Sequence, residues 1–376
     1  MKIVFAGGGS GGHFYPLIAV ASELRKIQQE KKIVEMNLFY LSHTPYEQKL
    51  LDDHSISFIK VPAGKLRRYL SFENIIDMIK LPFAVIIAFF KLLSIYPDVV
   101  FSKGGFPSVP VVFAAKLLNI PIIVHESDTR PGRANMFGAR FAQKIALSFP
   151  EAVSYFDESK TALVGHIIRE ELQHPVTEGV YEYLKLDPTI PTIFVIGGSQ
   201  GAKIINEAIL NIITSLVDSY QIIHQTGVQH FEDVKSNTEF LLQDSKNKQR
   251  YQVFPYLNAL AMRMAAGSAS LVISRAGASS IGEIAWWGVP SILIPITNSN
   301  GDHQRNNAFS YASTGAASVI EEKNLTPEIL RQEIDRITKD FSVAEEMRKA
   351  TEKSRFPNAA KTIADELVSI AFTHEQ

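Results

Sequence analysis

The sequence predicts an α/β protein built from two Rossmann-like, doubly wound parallel-sheet domains. Short runs rich in Val, Ile and Phe alternate with segments long enough for helices from end to end. Such alternation is the mark of a parallel sheet covered on both faces. The pattern also restarts midway: Ile3-Val4-Phe5-Ala6 leads into Gly7-Gly8-Gly9-Ser10-Gly11-Gly12, and Ile193-Phe194-Val195-Ile196 leads into Gly197-Gly198-Ser199-Gln200-Gly201. A length of 376 residues fits two domains at roughly 100–200 residues each.

In chain order, the first strand series is expected at Lys2–Ala6, Asn37–Ser42, Ser57–Val61, Val99–Ser102, Ile122–His125, Lys144–Leu147 and Ala162–Val164. The second is expected at Thr192–Ile196, Gln221–Gln225, Tyr251–Pro255, Ser270–Ser274 and Ser291–Pro295. A helix is expected from about Pro16, and another through Ile204, Ile205, Ala208, Ile209 and Ile212. The join between the domains falls near Gly165. A last helix, about Asn358–Phe372, carries Ala360, Ile363, Ala364, Leu367, Val368 and Ala371 on one face.

Composition narrows the function. Apolar residues make up 46% and charged residues 20%, enough to bury sizeable cores. The net charge of −1 argues against a nucleic-acid partner. It averages a split: residues 1–163 hold 19 basic and 14 acidic side chains, the remainder 19 and 25. Cysteine is absent, which excludes disulfides, thiolate metal sites and Cys nucleophiles. Met1-Lys2-Ile3-Val4-Phe5 runs straight into glycines, so no targeting segment is expected. The longest uncharged run in Leu81–Ile95 is ten residues, Leu81 to Phe90, against the ~20 that spanning needs. A cytoplasmic chain is expected, one still able to lie against a membrane.

A glycine loop between strand and helix lets backbone approach a phosphate, and the helix N-terminus offers free N–H groups and a positive dipole end. Gly7-x-Gly9-x-x-Gly12 matches the dinucleotide fingerprint, but the next strand ends Phe39-Tyr40-Leu41-Ser42-His43 without the acidic residue that a ribose would need. One loop alone reads equally as a tight turn. Two, with His13 and Gln200 at the helix mouths, favour anion binding in both halves.

Polar residues cluster where strands end. His125-Glu126-Ser127-Asp128 follows Ile122-Ile123-Val124 and precedes Pro131-Gly132-Arg133-Ala134-Asn135. Open α/β sheets bind ligands at such strand ends; a solvated loop with Asp128 as a cap is the alternative. His13 is a candidate base or phosphate donor. Ser274-Arg275-Ala276-Gly277-Ala278 with Glu283 forms a third strand–loop–helix turn, where a carboxylate suits the two hydroxyls of a ribose. Alternatively, Glu283 is an ordinary first-turn Glu favoured by the dipole. Asp302-His303-Gln304 with Asn307 opens a further helix, with Asp302 as its N-cap or His303, Gln304 and Asn307 as sugar-binding groups.

Absent motifs matter too. The sequence lacks Asp-x-Asp, His-Glu-x-x-His and the Walker lysine motif, so no metal is implied. Gly197–Gly201 matches Gly-x-Ser-x-Gly literally, yet an α/β-hydrolase elbow would follow several strands of one domain. Residues 55–95 carry six basic side chains against two acidic ones. Lys65, Arg67, Arg68, Tyr69, Phe72, Ile75, Ile79 and Phe83 form a candidate patch for an anionic membrane. Ile75 and Ile79 equally fit a plain core at helical spacing.

Together, Gly7–His13, His125–Asp128 with Pro131-Gly132, Gly197–Ala202, His224-Gln225-Thr226-Gly227, Ser274–Ala278 with Glu283, and Asp302-His303-Gln304 with Asn307-Ala308 occur in an order that closely resembles the MurG family of peptidoglycan N-acetylglucosaminyltransferases. The resemblance covers essentially the whole chain. It implies a GT-B fold, with two Rossmann-like domains facing across a cleft: residues 1–164 plus a returning C-terminal helix at about 346–376, and residues 165–345. It implies inverting transfer of GlcNAc from UDP-GlcNAc to the C4 hydroxyl of the muramoyl sugar of lipid I, giving lipid II.

By the same resemblance, the donor is held by Arg169, Ser199, Gln200, Arg275, Ala276, Gly277, Glu283, Gln304 and Asn307, with Ser10, Gly11 and Gly12 also contributing. Gly7, Gly8, Gly9, Ser10, Gly11, Gly12 and His13 hold the acceptor diphosphate. His13, Glu126 and Asp128 are the candidate bases. No cofactor is expected. Implied partners are UDP-GlcNAc, lipid I, an anionic membrane surface on the cytoplasmic face and other cell-wall synthesis proteins. Two departures stand out: His166-Ile167-Ile168 precedes Arg169 where the family often has Asn-Pro, and Ser127-Asp128 replaces a frequent Gln-Asn. A UDP-GlcNAc 2-epimerase, another lipid-acceptor glycosyltransferase and a non-catalytic nucleotide-sugar binder are the competing readings.

Overall fold

The computed structural model describes residues 1–64, 72–198, 201–297 and 299–374, with backbone alone for 72–79, 300 and 374. The chain divides into two compact units, Met1–Arg169 with Phe356–Gln376, and Glu170–Arg355.

Among the described residues, the first unit holds seven parallel strands: β1 (Lys2–Ala6), β2 (Asn37–Ser42), β3 (Ile56–Lys60), β4 (Val99–Ser102), β5 (Ile122–Glu126), β6 (Lys144–Leu147) and β7 (Thr161–Leu163). Their order is β3-β2-β1-β4-β5-β6-β7. Ile3 sits beside Leu38 on one side and Val99 on the other. Successive strand residues point to opposite faces, so β1 feeds two cores. Ile3 and Phe5 join helix Gly11–Glu30 and helix Ala359–His374. Val4 and Ala6 join Ala88 and Leu92 of helix Phe72–Ile95 and Val111 of helix Ser108–Leu117. Every apolar residue expected on the last helix is buried.

The second unit holds β8 (Thr192–Ile196), β9 (Gln221–Gln225), β10 (Tyr251–Phe254), β11 (Ala269–Ser274), β12 (Ser291–Leu293) and β13 (Ala317–Val319), ordered β10-β9-β8-β11-β12-β13. Ile193 and Val195 pack with helix Lys203–Ser219 and helix Pro327–Lys339. Phe194 faces the other way, its ring 5.9 Å from that of Trp287.

Several expectations shift. Helix Gly11–Glu30 starts before Pro16 rather than at it, and Pro16, in its second turn, leaves one backbone bond unmade. β12 stops at Leu293, short of Pro295, which has no N–H for a ladder. β5 runs on through Glu126, which pairs with Leu147. β13 is an edge strand that the sequence reading does not contain. The unit boundaries fall after Arg169 and Arg355, whereas 164 and about 345 were expected. Helix Phe341–Thr351 packs on helix Pro327–Lys339 and so belongs to the second unit.

Candidate functional site

Each sheet reverses strand order once, between β1 and β4 in the first unit and between β8 and β11 in the second. Side connections diverge there and leave a crevice at the strands' C-terminal ends. The sequence puts a glycine loop at each reversal.

In the first unit, Gly8 and Gly9 take φ of +122° and +85°, a region open to glycine. Tyr40 Oη donates to the Gly7 carbonyl at 3.2 Å. Ser10 caps helix Gly11–Glu30 with its backbone, its carbonyl accepting from the N–H groups of His13 and Phe14, both at 3.2 Å. Ser10 Oγ lies 2.9 Å from His13 Nδ1. Ser10 and Gly12 are exposed, Gly11 and His13 half-buried. Anion-binding geometry and a basic ring therefore share one helix mouth.

A second glycine loop, missed by the sequence reading, follows β4. Gly105 has φ +78°, and a Cβ there would lie 2.6 Å from the Gly8 carbonyl oxygen and 3.3 Å from His13 Nδ1. Only glycine fits. The signal was legible in principle as Lys103-Gly104-Gly105 directly after an apolar strand.

Glu126, expected as a candidate base, is 2% exposed and fully engaged. Its Oε1 accepts from the N–H groups of Ser127 at 2.7 Å and Asp128 at 2.9 Å. Its Oε2 accepts from Gly132 N–H and Asn135 Nδ2, both at 2.9 Å. Burial and the Asp128 carboxylate push its pKa up, while Lys103 and these hydrogen bonds pull it down. The geometry makes it the hub of its loop. His125 is buried and neutral, its pKa well below the ordinary value through burial and then Lys103. Ser148 Oγ donates to the Gly165 carbonyl at 2.9 Å, so it accepts from His125 Nε2 at 3.2 Å. Asp128 is half-buried.

Arg169, expected at the donor diphosphate, groups with the first unit, where its guanidinium stacks 4.4 Å over the Tyr15 ring. The hydrophobic sequence before it, Ile167-Ile168, is buried.

In the second unit, Ser199 and Gln200 lie outside the described residues. Around them, Gly201 has φ +77°, and a Cβ would lie 1.9 Å from the Thr226 carbonyl oxygen. Gln225 Nε2 donates to the Gly198 carbonyl at 3.3 Å, and Asn206 Nδ2 to that of Thr226 at 3.1 Å. His224 bridges Asn206 Oδ1 at 3.0 Å and Tyr251 Oη at 2.7 Å. Burial holds its pKa down at about 3. His224-Gln225-Thr226 thus works from inside, shaping the loop.

Glu283 is half-buried on helix Ala278–Trp287, which starts at the β11 turn with Gly277 as N-cap. Asn307 is fully buried, with Nδ2 3.5 Å from the Ala276 carbonyl. Gln304 Oε1 accepts from Ile296 N–H at 3.2 Å. Asp302 caps helix His303–Ser313 in the left-handed region, without a side-chain cap bond. Arg275, expected to line the nucleotide site, is engaged with the loop after β12. Nη1 pairs with Glu322 Oε1 at 2.7 Å and donates to the Ile294 carbonyl at 3.0 Å. Glu322 Oε2 in turn accepts from Thr297 N–H and Oγ1. Arg275 therefore braces the loop after β12 and leaves the Ala276-Gly277 backbone at the turn.

Of the expected membrane patch, Lys65, Arg67, Arg68 and Tyr69 lie outside the described residues, as do the side chains of Phe72, Ile75 and Ile79. Phe83 is 63% exposed. Ile86, Phe90 and Leu93 continue the same helix face, also exposed, while Ala84, Ala88 and Leu92 are buried opposite.

Two all-parallel units, each with a glycine loop and helix mouth at its strand-order reversal, define a GT-B protein. Residues 3–147 match the glycosyltransferase family 28 N-terminal domain, and residues 192–363 its C-terminal domain. A Clostridium novyi UDP-N-acetylglucosamine–N-acetylmuramyl-(pentapeptide) pyrophosphoryl-undecaprenol N-acetylglucosamine transferase is 36% identical, covering 90% of this chain and 91% of the relative. The Natranaerobius thermophilus protein of the same name is 34% identical, covering 98% and 100%. The crystal structure of Acinetobacter baumannii MurG superposes with a TM-score of 0.76 at 27% identity, covering 98% and 99%. The chain belongs to the MurG family of these transferases.

Proposed function

We infer that this chain transfers GlcNAc from UDP-GlcNAc to the C4 hydroxyl of the muramoyl sugar of lipid I, with inversion, forming lipid II. The observation that carries the reading is the pair of glycine-loop helix mouths, one per unit, in a chain of this family. The first unit takes the acceptor. Its diphosphate meets N–H groups and the positive dipole end at Gly9–Gly12. His13 at the same mouth takes the proton of the attacking hydroxyl. In the tautomer with Nδ1–H donating to Ser10 Oγ, the proton-accepting lone pair is on Nε2. Glu126 is committed to four N–H donors, which favours His13 over it.

The second unit takes the donor. Glu283 accepts the ribose hydroxyls, Gln304 meets the sugar, buried Asn307 supports the Ala276 turn from behind, and the Gly197–Gly201 loop receives the diphosphate. The departing UDP gains charge, and helix N-termini are placed to stabilise it. No helix among the described residues is long and apolar enough to cross a membrane. Peripheral attachment at the cytoplasmic face is supported by the exposed stripe Phe83, Ile86, Phe90 and Leu93, flanked by exposed Lys80 and Lys91.

The deciding experiment incubates the chain with UDP-GlcNAc and a lipid I analogue. Lipid II analogue and UDP are the expected products. Release of UDP-ManNAc from UDP-GlcNAc alone would identify an epimerase instead.

A further inference from the structure

Lys103 has no part in the chemistry above, yet it sits at the centre of the first unit's strand-order reversal. It follows β4 and is 1% exposed, with Nζ donating to Ser127 Oγ at 3.0 Å. The glycines after it fix its place. A Cβ on Gly104 would lie 2.5 Å from Asn135 Oδ1, and one on Gly105 would lie 2.6 Å from the Gly8 carbonyl oxygen. The β4 loop is therefore wedged between the first glycine loop and the loop that Glu126 organises.

A buried ammonium is costly unless paired. Burial pushes the Lys103 pKa down, and the Glu126 and Asp128 carboxylates push it up. Those carboxylates have a matching problem. They stand at the strand end where an anionic acceptor must bind, and like charges repel there.

We propose that Lys103 is a positioning residue of the acceptor subsite: its ammonium offsets Glu126 and Asp128, and through Ser127 it holds the β5 loop in place, so that a diphosphate is admitted beside two carboxylates. The proposal rests on the first unit being the acceptor unit. Lys103 acts through its neighbours and does not contact the reacting atoms.

The test uses the full chain, UDP-GlcNAc and a lipid I analogue. Lys103→Met is expected to raise the acceptor KM about 10-fold or more, the scale of one charge-assisted hydrogen bond. The donor KM stays within about 2-fold, which a merely structural lesion would not respect. Asp128→Asn in the Lys103→Met background removes the charge left unopposed, so the acceptor KM recovers most of the way. Should Lys103→Met fail to fold, Ser127→Ala removes only the hydrogen bond and is expected to raise the acceptor KM alone, by less. An unchanged acceptor KM in the folded variants, equal losses for both substrates, or no relief from Asp128→Asn would each overturn the role of Lys103. A wild-type chain that makes no lipid II analogue would instead overturn the acceptor reading beneath it.

Discussion

Ser10 Oγ and His13 Nδ1 stand 2.9 Å apart across the first turn of helix Gly11–Glu30. This contact orients the imidazole from the same residue whose carbonyl starts the helix. A base oriented in part by this contact should suffer less when the contact is lost than when the ring is lost. His13→Ala is expected to lower kcat by about 10²–10⁴-fold. Ser10→Ala should lower it by about 10-fold, the worth of one hydrogen bond. Steady-state kinetics with saturating substrates check both, and near-normal turnover of His13→Ala would return the base role to Asp128.

Glu126 separates a structural from a catalytic carboxylate. Truncating it leaves four N–H donors without their acceptor and the Lys103 charge less opposed. Glu126→Ala is expected to destabilise the first unit by about 3–5 kcal/mol, the range for breaking a buried charge pair. Thermal unfolding reads this directly. A variant with wild-type unfolding and lost turnover would mean that the carboxylate serves the reaction instead.

Gly201→Ala tests the donor loop. The left-handed backbone costs an Ala about 1–2 kcal/mol, and overpacking against the Thr226 carbonyl about 1–3 kcal/mol more. The second unit should lose about 2–5 kcal/mol, and the donor KM should rise with the acceptor KM unchanged. Wild-type affinity for UDP-GlcNAc would show that the loop is not part of the donor site.

The glycine loops were legible because the demand is local: a strand, a turn that only positive φ can make, and a helix. Most strands were legible from apolar runs for the same reason. Ala317-Ser318-Val319 carries no such run, since an edge strand is only half-buried. Lys103 and Glu322 were illegible because their meaning lies in partners distant in sequence. Nothing in the order of residues says that Lys103 meets Ser127, or that Arg275 pairs with Glu322. Glu126 was visible as an acid, but its four donors arise only when the loop through Asn135 folds back.

Buried histidines set the acid limit of stability. His166 is held at about 4 by burial and then Lys103, and His224 at about 3 by burial, against 6.5 when unfolded. Both are neutral in the folded chain. Above pH 6.5 neither state binds the proton, so their contribution is fully present. Below it the unfolded chain is protonated first, and stability falls by about 1.4 kcal/mol per pH unit for each ring until the folded value is reached. His166 lies in the first unit beside His125, which burial likewise holds well below its ordinary value, and His224 lies in the second, so both units weaken together. Urea midpoints between pH 7 and 5 should fall steadily, and His166→Phe should reduce the slope of the first unit, where His125 remains, and leave that of the second unchanged. A flat midpoint across that range would mean that these rings are protonated when folded.

Helix Phe72–Ile95 should govern membrane attachment through two separable forces. Phe83 and Phe90 are 63% and 61% exposed on one face, and burying a Phe in an apolar medium contributes about 1.5–3 kcal/mol. Replacing both with Ser should therefore weaken binding to anionic vesicles by roughly 10²–10⁴-fold, at any salt concentration. Lys80 and Lys91 act differently: each adds about 1 kcal/mol near an anionic surface, and salt screens that share. Changing both to Gln should cost roughly 10-fold or more in low salt and little in high salt. The basic residues Arg67 and Arg68 predict the same salt signature when replaced. Vesicle sedimentation across a salt series distinguishes the two forces. A Phe83→Ser, Phe90→Ser variant that sediments like the wild type would remove this helix from the membrane surface, and salt-insensitive binding would remove the lysines and arginines from it.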